Sequence, residues 1–531
     1  MKRLTALLVN PPVTLEERYG SLSSAGSSLP PFALMWLAAT ARQEGFESAI
    51  LDAEAERLTV DLAVRRILEI DPFVVGFTAS TLSISRAAAV ASKLKEARPD
   101  ILTVIGGPHF TALPEKTLSL YDGFDLGAYG EGERTWVEIL SCRRDSGDPA
   151  RIQGVVVRTP SGFVKTQPRP VIETLDSLPQ PAWDLLPPLT RYYQPSALRQ
   201  HRLPASSLVT TRGCFGRCTF CDNSVFGRRV RAFSAEYVME MVRYLVDRWG
   251  VRTITFYDDN FVHHRQRLKN LLDQLAGSFD LTWSANCRVD VVDPECLAEM
   301  KKAGCWQLSW GIESGAQEIL DREAKHVTID QIRRALGWAH DLSISNKGFF
   351  IIGHPGETTR TIEKTIELAL DLPLDDFQMS FLTPFPGTEI HAESSKYGVL
   401  DEDWDRMNMW TPVFVPHGLT RDELIHWQKT AIRKFYFRPR ILARYLSELT
   451  SWSRWKAFLR GAWAVLKALL SPGQRGVPVQ GCGRSLDRSV GPSECPDSHS
   501  PDETTRPDAR SNETAPQPPS VKSCARLPSS T

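Results

Sequence analysis

Three cysteines fall within eight residues of the stretch "TRGCFGRCTFC" (Thr211–Cys221): Cys214, Cys218 and Cys221. Thiols grouped this tightly can bind metal, form a disulfide staple, or sit together by accident. A structural zinc site wants four protein ligands, usually as two pairs. No second pair follows: His201 is remote in sequence, and His263 and His264 lie beyond another strand. A [4Fe–4S] cluster is also held by thiolates. Three cysteines would hold three irons and leave the fourth open to chelate a small molecule and pass it an electron. Gly213 and Gly216 let such a loop curl and aim N–H groups at the sulfides, and Arg212 and Arg217 bring positive charge to an anionic cluster.

A loop aims its thiols only if rigid elements hold its ends. From about residue 203 to 392 the chain alternates apolar runs with helical patterns. "SSLVTTRGC" reads as a strand leading into the cysteines. "TITFYDDNF" (Thr253–Phe261), "LTWSANCRVD" (Leu281–Asp290), "CWQLSWGIESG" (Cys305–Gly315), "NKGFFIIGHPGET" (Asn346–Thr358) and "DFQMSFLTPFPGTEI" (Asp376–Ile390) follow as strands. Six βα units in this length predict a curved parallel sheet, a partial (β/α)6 barrel, with its functional residues at the strand carboxyl ends. Those ends carry Asp258, Asp259, Arg288, Glu313, Ser314, Ile352, Gly353 and Pro386. For Asp258, Asp259 and Arg288 the alternative is a buried ionic network that braces the strand ends.

Residues 1–140 alternate in the same way: strands at Leu4–Asn10, "SAILDA", Phe73–Ser80, Leu102–His109 and Asp125–Glu133 with helices between them. Continuous apolar strands predict a flavodoxin-like (Rossmann-like) α/β sheet covered on both faces, with ligands beyond its carboxyl edge. That edge reads "TASTLS" (Thr78, Ser80, Thr81), "GGPH" (Gly106, Gly107) and "GEGE" (Gly130, Glu131, Gly132). Either these loops cradle a ligand or they are ordinary tight turns rich in Gly, Ser and Pro. Residues 141–202 read as a connector with a hairpin turning at Pro160–Gly162; 393–470 as a helical C-terminal region; and 471–531, without hydrophobic periodicity, as a disordered tail.

The C-x-x-x-C-x-x-C spacing, Phe220 before the last cysteine and the preceding strand closely resemble the radical S-adenosylmethionine (SAM) family. The resemblance implies that the open iron binds SAM, that an external one-electron donor of flavodoxin or ferredoxin type reduces the cluster, and that cleavage yields a 5′-deoxyadenosyl radical. It further implies that Asp258 and Asp259 stand near the SAM amino group, that Glu313 and Ser314 meet ribose or methionine, and that the backbone at Ile352 and Gly353 meets adenine. With "GGPH" and "GEGE" in the domain ahead, the chain over about residues 2–440 resembles the cobalamin-binding subfamily. That group includes the anaerobic magnesium-protoporphyrin IX monomethyl ester cyclase and many methyltransferases. The D-x-H-x-x-G motif that gives some cobalamin domains a histidine ligand is absent. His109 is read as shaping the cradle, and a side chain at Gly107 is expected to crowd the corrin. The expected function is methylation or another transformation of an unactivated carbon in a hydrophobic substrate. Alternatives are oxidative cyclisation without methyl transfer, a radical SAM enzyme whose first domain only docks, and a non-catalytic iron–sulfur sensor.

Charge and length set the outer bounds. Lysine plus arginine equals aspartate plus glutamate at 63 each, so nothing draws the whole chain to nucleic acid. No uncharged run is long enough to span a membrane, and no secretory leader is apparent, so a cytoplasmic, reducing location is expected. Ser451–Leu470, "SWSRWKAFLRGAWAVLKALL", is a basic amphipathic pattern. Either it lies in a membrane interface, which would suit a lipid-like or tetrapyrrole substrate, or its aromatic side packs on the barrel.

Overall fold

The computed structural model describes residues 4–193 and 201–447. The segment Ser451–Leu470 and the tail lie outside the described residues.

The first sheet contains β1 (Thr5–Asn10), β2 (Glu47–Asp52), β3 (Val74–Thr78), β4 (Leu102–Gly106) and β5 (Leu126–Ala128), all parallel, in the order β2-β1-β3-β4-β5. This is the flavodoxin order. Alternate residues feed two separate cores: Leu7, Val9, Val75 and Phe77 pack on one face, Ala6, Leu8, Val74 and Val104 on the other. Double-sided burial explains why the strands read as continuous apolar runs. The hairpin expected in the connector is present as β6 (Val155–Thr159) and β7 (Gly162–Lys165). It is not free-standing: it extends the same sheet antiparallel to β5, because a lone hairpin has no face to bury.

The second sheet holds β8 (Ala205–Leu208), β9 (Thr253–Phe256), β10 (Thr282–Cys287), β11 (Cys305–Glu313), β12 (Ser345–Ile352) and β13 (Asp376–Phe381), parallel and in sequential order. It is a partial (β/α)6 barrel. Leu208, Phe256, Trp283, Leu308, Trp310, Phe350 and Phe377 sit in the large core with residues of the surrounding helices. The intervening residues form polar rows in register: Ser207, Thr255, Ser284 and Gln307, then Asn286, Ser309, Lys347 and Asp376. The second row contains a buried ion pair, Lys347 Nζ to Asp376 Oδ2 at 2.7 Å. The strands stop earlier than the apolar patterns alone suggest. Thr253–Phe261, for example, ends as a strand at Phe256, because the motif residues beyond it turn to bond other loops.

Past the barrel, Gly398–Leu400 and Phe414–Pro416 form an antiparallel ribbon, and the helix Arg421–Tyr436 closes on β13, with Tyr436 Oη donating to Asp376 Oδ1 at 2.7 Å. Between the ribbon strands the chain returns to the first domain. Asn408 Nδ2 donates to the Glu17 carbonyl at 2.9 Å, Asp405 accepts from Ser85, and Trp404 packs edge-on to His109 with ring centres 4.5 Å apart.

Candidate functional site

The cysteine loop leaves β8 and is pinched at its root. Thr211–Arg212 pairs antiparallel with Arg231–Ala232. Gly213 has φ +86°, and a Cβ there would lie 2.4 Å from the Arg229 carbonyl oxygen, so only glycine lets the two ends of the loop touch. A Cβ on Gly216 would lie 3.3 Å from Cys214 Sγ and from an Arg288 guanidinium nitrogen, and 3.8 Å from Cys218 Sγ. Two sulfurs and a cation therefore gather around one backbone position. Cys221 N donates to the Cys218 carbonyl at 3.1 Å. The Cys218 thiol is drawn down to about 6, first by its hydrogen bond with Cys221, then, against burial, by the positive charges of Lys325 and Arg288. Cys221 correspondingly holds its proton more tightly. Among the described residues no three His, Cys, Asp or Glu groups converge on a point that a single ion could occupy. A cluster asks for something else: each thiolate takes its own iron, so the sulfurs must surround a cube. Three cysteines on one pinched loop, with two cations behind them, fit that group.

Lys325 had no signal in the sequence, being one lysine in "DREAKHVT". It is buried and donates to Glu313 Oε1 at 2.7 Å. Glu313 ends β11 at a register shift, with φ +67°. That is an uncommon conformation for a residue with a Cβ, of the kind that clusters at functional sites. Arg288 pairs with Asp290 at 2.8 Å, donates to the Lys325 carbonyl at 3.0 Å and lies over the Phe215 ring. These three predicted or newly found groups stand together beside the cysteines.

The other strand-end residues divide. Asp258 is fully buried and accepts from Thr210 N at 2.6 Å and Thr210 Oγ1 at 3.2 Å, bracing the root of the cysteine loop. Asp259 is exposed, while the adjacent Asn260 is buried with neither amide atom bonded, an orphan pair at the mouth of the barrel. Ser314 is locked in its turn by Thr365 Oγ1 at 3.2 Å and Ala316 N at 3.1 Å. Ile352 is in the core, and Gly353, at φ +93°, donates its N–H to Glu357. Glu357 also accepts from His354 N at 3.1 Å. His354 Nδ1 is 3.2 Å from Glu323, which accepts from Thr219 between the second and third cysteines. This buried relay joins the β12 loop to the cysteine loop, and Phe220 packs toward it, 6.2 Å from the His354 ring.

On the first sheet, Ser80 and Ser83 cap one another at the start of a helix, and Thr81 Oγ1 lies 3.2 Å from His109 Nδ1. His109 is buried behind Trp404 and so is not presented as a cobalt ligand. Burial, helped by Lys116, pushes its imidazole down to about 4. Gly107 has φ +93°, and a Cβ would stand 2.8 Å from Ala79 N and O. Its missing side chain thus serves the loop's own packing before any ligand. Gly130, at φ +77°, meets nothing within 4 Å, and Gly106 and Gly132 meet only ordinary contacts. These open positions on one edge fit a flat ligand laid against backbone.

Glu131 points elsewhere. Its carboxylate accepts from Arg212 and Arg231, each at 2.9 Å, and from Ile172 N at 2.6 Å. Burial opposes its ionisation, but Arg231 and Arg212 outweigh that and hold it below the ordinary carboxylate range. Arg212, expected beside the cluster, is likewise taken up by Glu131 and Glu133.

A flavodoxin-order sheet joined to an open six-stranded βα barrel, with three cysteines after the first barrel strand, defines a two-cofactor architecture. A model of the B12 binding domain matches residues 21–140, and one of the radical SAM superfamily matches residues 208–369. An uncharacterised methyltransferase of Pyrococcus horikoshii is 31% identical over 84% of this chain and 96% of its own. The anaerobic magnesium-protoporphyrin IX monomethyl ester cyclase of Rubrivivax gelatinosus is 30% identical over 78% of this chain and 75% of its own. The solved structure of the cobalamin-dependent SAM radical enzyme OxsB, at 16% identity, shares the fold with a TM-score of 0.66 over 86% of this chain and 72% of that one. The chain belongs to the radical SAM enzymes that carry a B12-binding domain. Its cofactors are those of that family, a [4Fe–4S] cluster, SAM and cobalamin, and its relatives are methyltransferases and an oxidative cyclase. Membership sets aside the sensor reading. Among the described residues no helix is long and apolar enough to cross a membrane.

Proposed function

We propose that the protein methylates an unactivated carbon of a hydrophobic small molecule, with Cys214, Cys218 and Cys221 holding the cluster. When bound, the cluster and SAM supply a radical that removes a hydrogen atom, and cobalamin supplies a transferable methyl group. The residues do the positioning. Lys325 and Arg288 hold positive charge beside the thiolates, Glu313 fixes Lys325, and Asp258 braces the loop root. Asp259 and Asn260 offer polar atoms to the amino end of SAM, the Gly353 backbone faces adenine, and Gly106, Gly107, Gly130 and Gly132 form the corrin cradle. An external one-electron donor of flavodoxin or ferredoxin type completes the cycle.

The observation that carries this reading is that the loop after β5 rests against the root of the cysteine loop, where Glu131 accepts from Arg212 and Arg231. One further reading has support of its own. The cyclase of Rubrivivax gelatinosus is nearly as similar as the methyltransferase, which favours a tetrapyrrole-like substrate and oxidation without methyl transfer as the second possibility. The amphipathic Ser451–Leu470 would bring such an apolar substrate's membrane within reach. Anaerobic reconstitution with iron, sulfide and hydroxocobalamin tests the main reading. The protein should show cluster and corrinoid absorbance and release 5′-deoxyadenosine from SAM under reduction. Cleavage without corrinoid binding would overturn the methyl-transfer assignment.

A further inference from the structure

The buried contact between the two domains includes an ionic cluster beside the stack of Trp36 on Phe233, whose ring centres are 5.2 Å apart. Glu131, from the loop after β5, and Glu133, which opens the helix that follows it, face Arg212 and Arg231, from the paired strands that pinch the cysteine loop. All four side chains are at most 4% exposed. Two acids and two guanidiniums leave no net charge. The Arg212 guanidinium is further held between Trp36 of the first domain, 5.1 Å from the ring centre, and Phe226 of the cysteine loop, at 5.3 Å. Arg231 also donates to the Ile172 carbonyl at 2.7 Å and the Phe226 carbonyl at 3.1 Å. One cluster of charges thus clamps three segments: the candidate cobalamin loop, the connector at Ile172 and both ends of the cysteine loop. Removing one member would strand an opposite charge away from water, so the arrangement tolerates one geometry and resists sliding.

We propose that Glu131 and Glu133 with Arg212 and Arg231 form a latch that sets the separation between the cobalamin edge and the cluster loop. Glu131 is its central positioning residue. The proposal rests on the two-cofactor reading above. Each cofactor keeps its own binding loop when the latch is broken, but the two lose their fixed spacing.

The test is magnetic and needs no substrate. Wild-type protein and Glu131→Gln are reconstituted with iron, sulfide and hydroxocobalamin, then reduced so that the cluster and cob(II)alamin are both paramagnetic. In wild type the cob(II)alamin signal should be broadened by the nearby cluster. In Glu131→Gln both cofactors should load as in wild type and the broadening should be lost. Trypsin should also cut faster after Arg229, an exposed residue that pairs with Glu173 beside the released Ile172 and lies two positions before Arg231. Retained broadening in the loaded variant would overturn the latch. Should wild type itself fail to load a cofactor, that failure belongs to the proposed function, and trypsin decides instead: equal cutting in the two proteins overturns the latch. If Glu131→Gln does not fold, Glu133→Gln, which leaves the Glu131–Arg231 pair in place, is read by the same criterion.

Discussion

At the scale of single residues the cysteines carry the strongest expectation. Replacing Cys214, Cys218 and Cys221 together with alanine should abolish iron binding and SAM cleavage while leaving the first domain able to bind hydroxocobalamin. Iron content and 5′-deoxyadenosine release measure the loss. Glu313→Gln keeps the shape of the strand end but leaves Lys325 as a buried cation without its partner. Breaking one side of such a pair costs about 3–5 kcal/mol, so SAM cleavage should fall at least about tenfold, the equivalent of about 1.4 kcal/mol. His109 gives a pH signature. Its folded-state value lies below the ordinary 6.5, so the buried neutral ring is at no disadvantage above that pH. As pH falls from 6.5 toward about 4 the unfolded chain takes up a proton that the folded one refuses, and stability drops by on the order of 3 kcal/mol. Unfolding midpoints measured over this range should slope less in His109→Gln than in wild type. The cysteines were legible because their spacing is local. Lys325 and the partners of Glu131 were not: Arg231 lies 100 residues from Glu131, and nothing in either neighbourhood announces the other.

Elements explain why the strand-end motifs behave differently from one another. Both α/β blocks could be read from period and turn residues, since doubly buried strands leave an unmistakable apolar run. The strand limits could not, because Asp258 and Gly353 spend their hydrogen bonds on loops brought close only by folding. The loops after β4 and β5 now carry distinct expectations. Gly107→Val, expected from sequence to crowd a corrin alone, would drive a Cβ into the Ala79 backbone. It should lower the stability of the first domain as well as its affinity for hydroxocobalamin. Gly130→Ala meets open space and adds only the left-handed backbone cost of roughly 1–2 kcal/mol. It should fold, and a weaker absorbance titration with hydroxocobalamin would place the ligand over that loop. Unchanged affinity would move the cradle away from β5.

For the molecule as a whole, the neutral total charge hides a strongly basic stretch: from Arg421 to Leu470 eleven lysines and arginines face three acidic residues. Full-length protein should float with anionic vesicles at low salt, and a protein truncated after Thr450 should stay at the bottom of the gradient. If neither floats, the tetrapyrrole or lipid-like substrate loses its sequence support. The return of Trp404, Asp405 and Asn408 onto the first domain bears on how the molecule is made. The bonded residues Asn408 and Glu17 are 391 positions apart. A ribosome adding roughly 5–20 residues per second finishes the first sheet tens of seconds before it reaches Trp404. During that interval the His109 side of the nascent domain stands uncovered, and a product cut short before Asp401 never covers it.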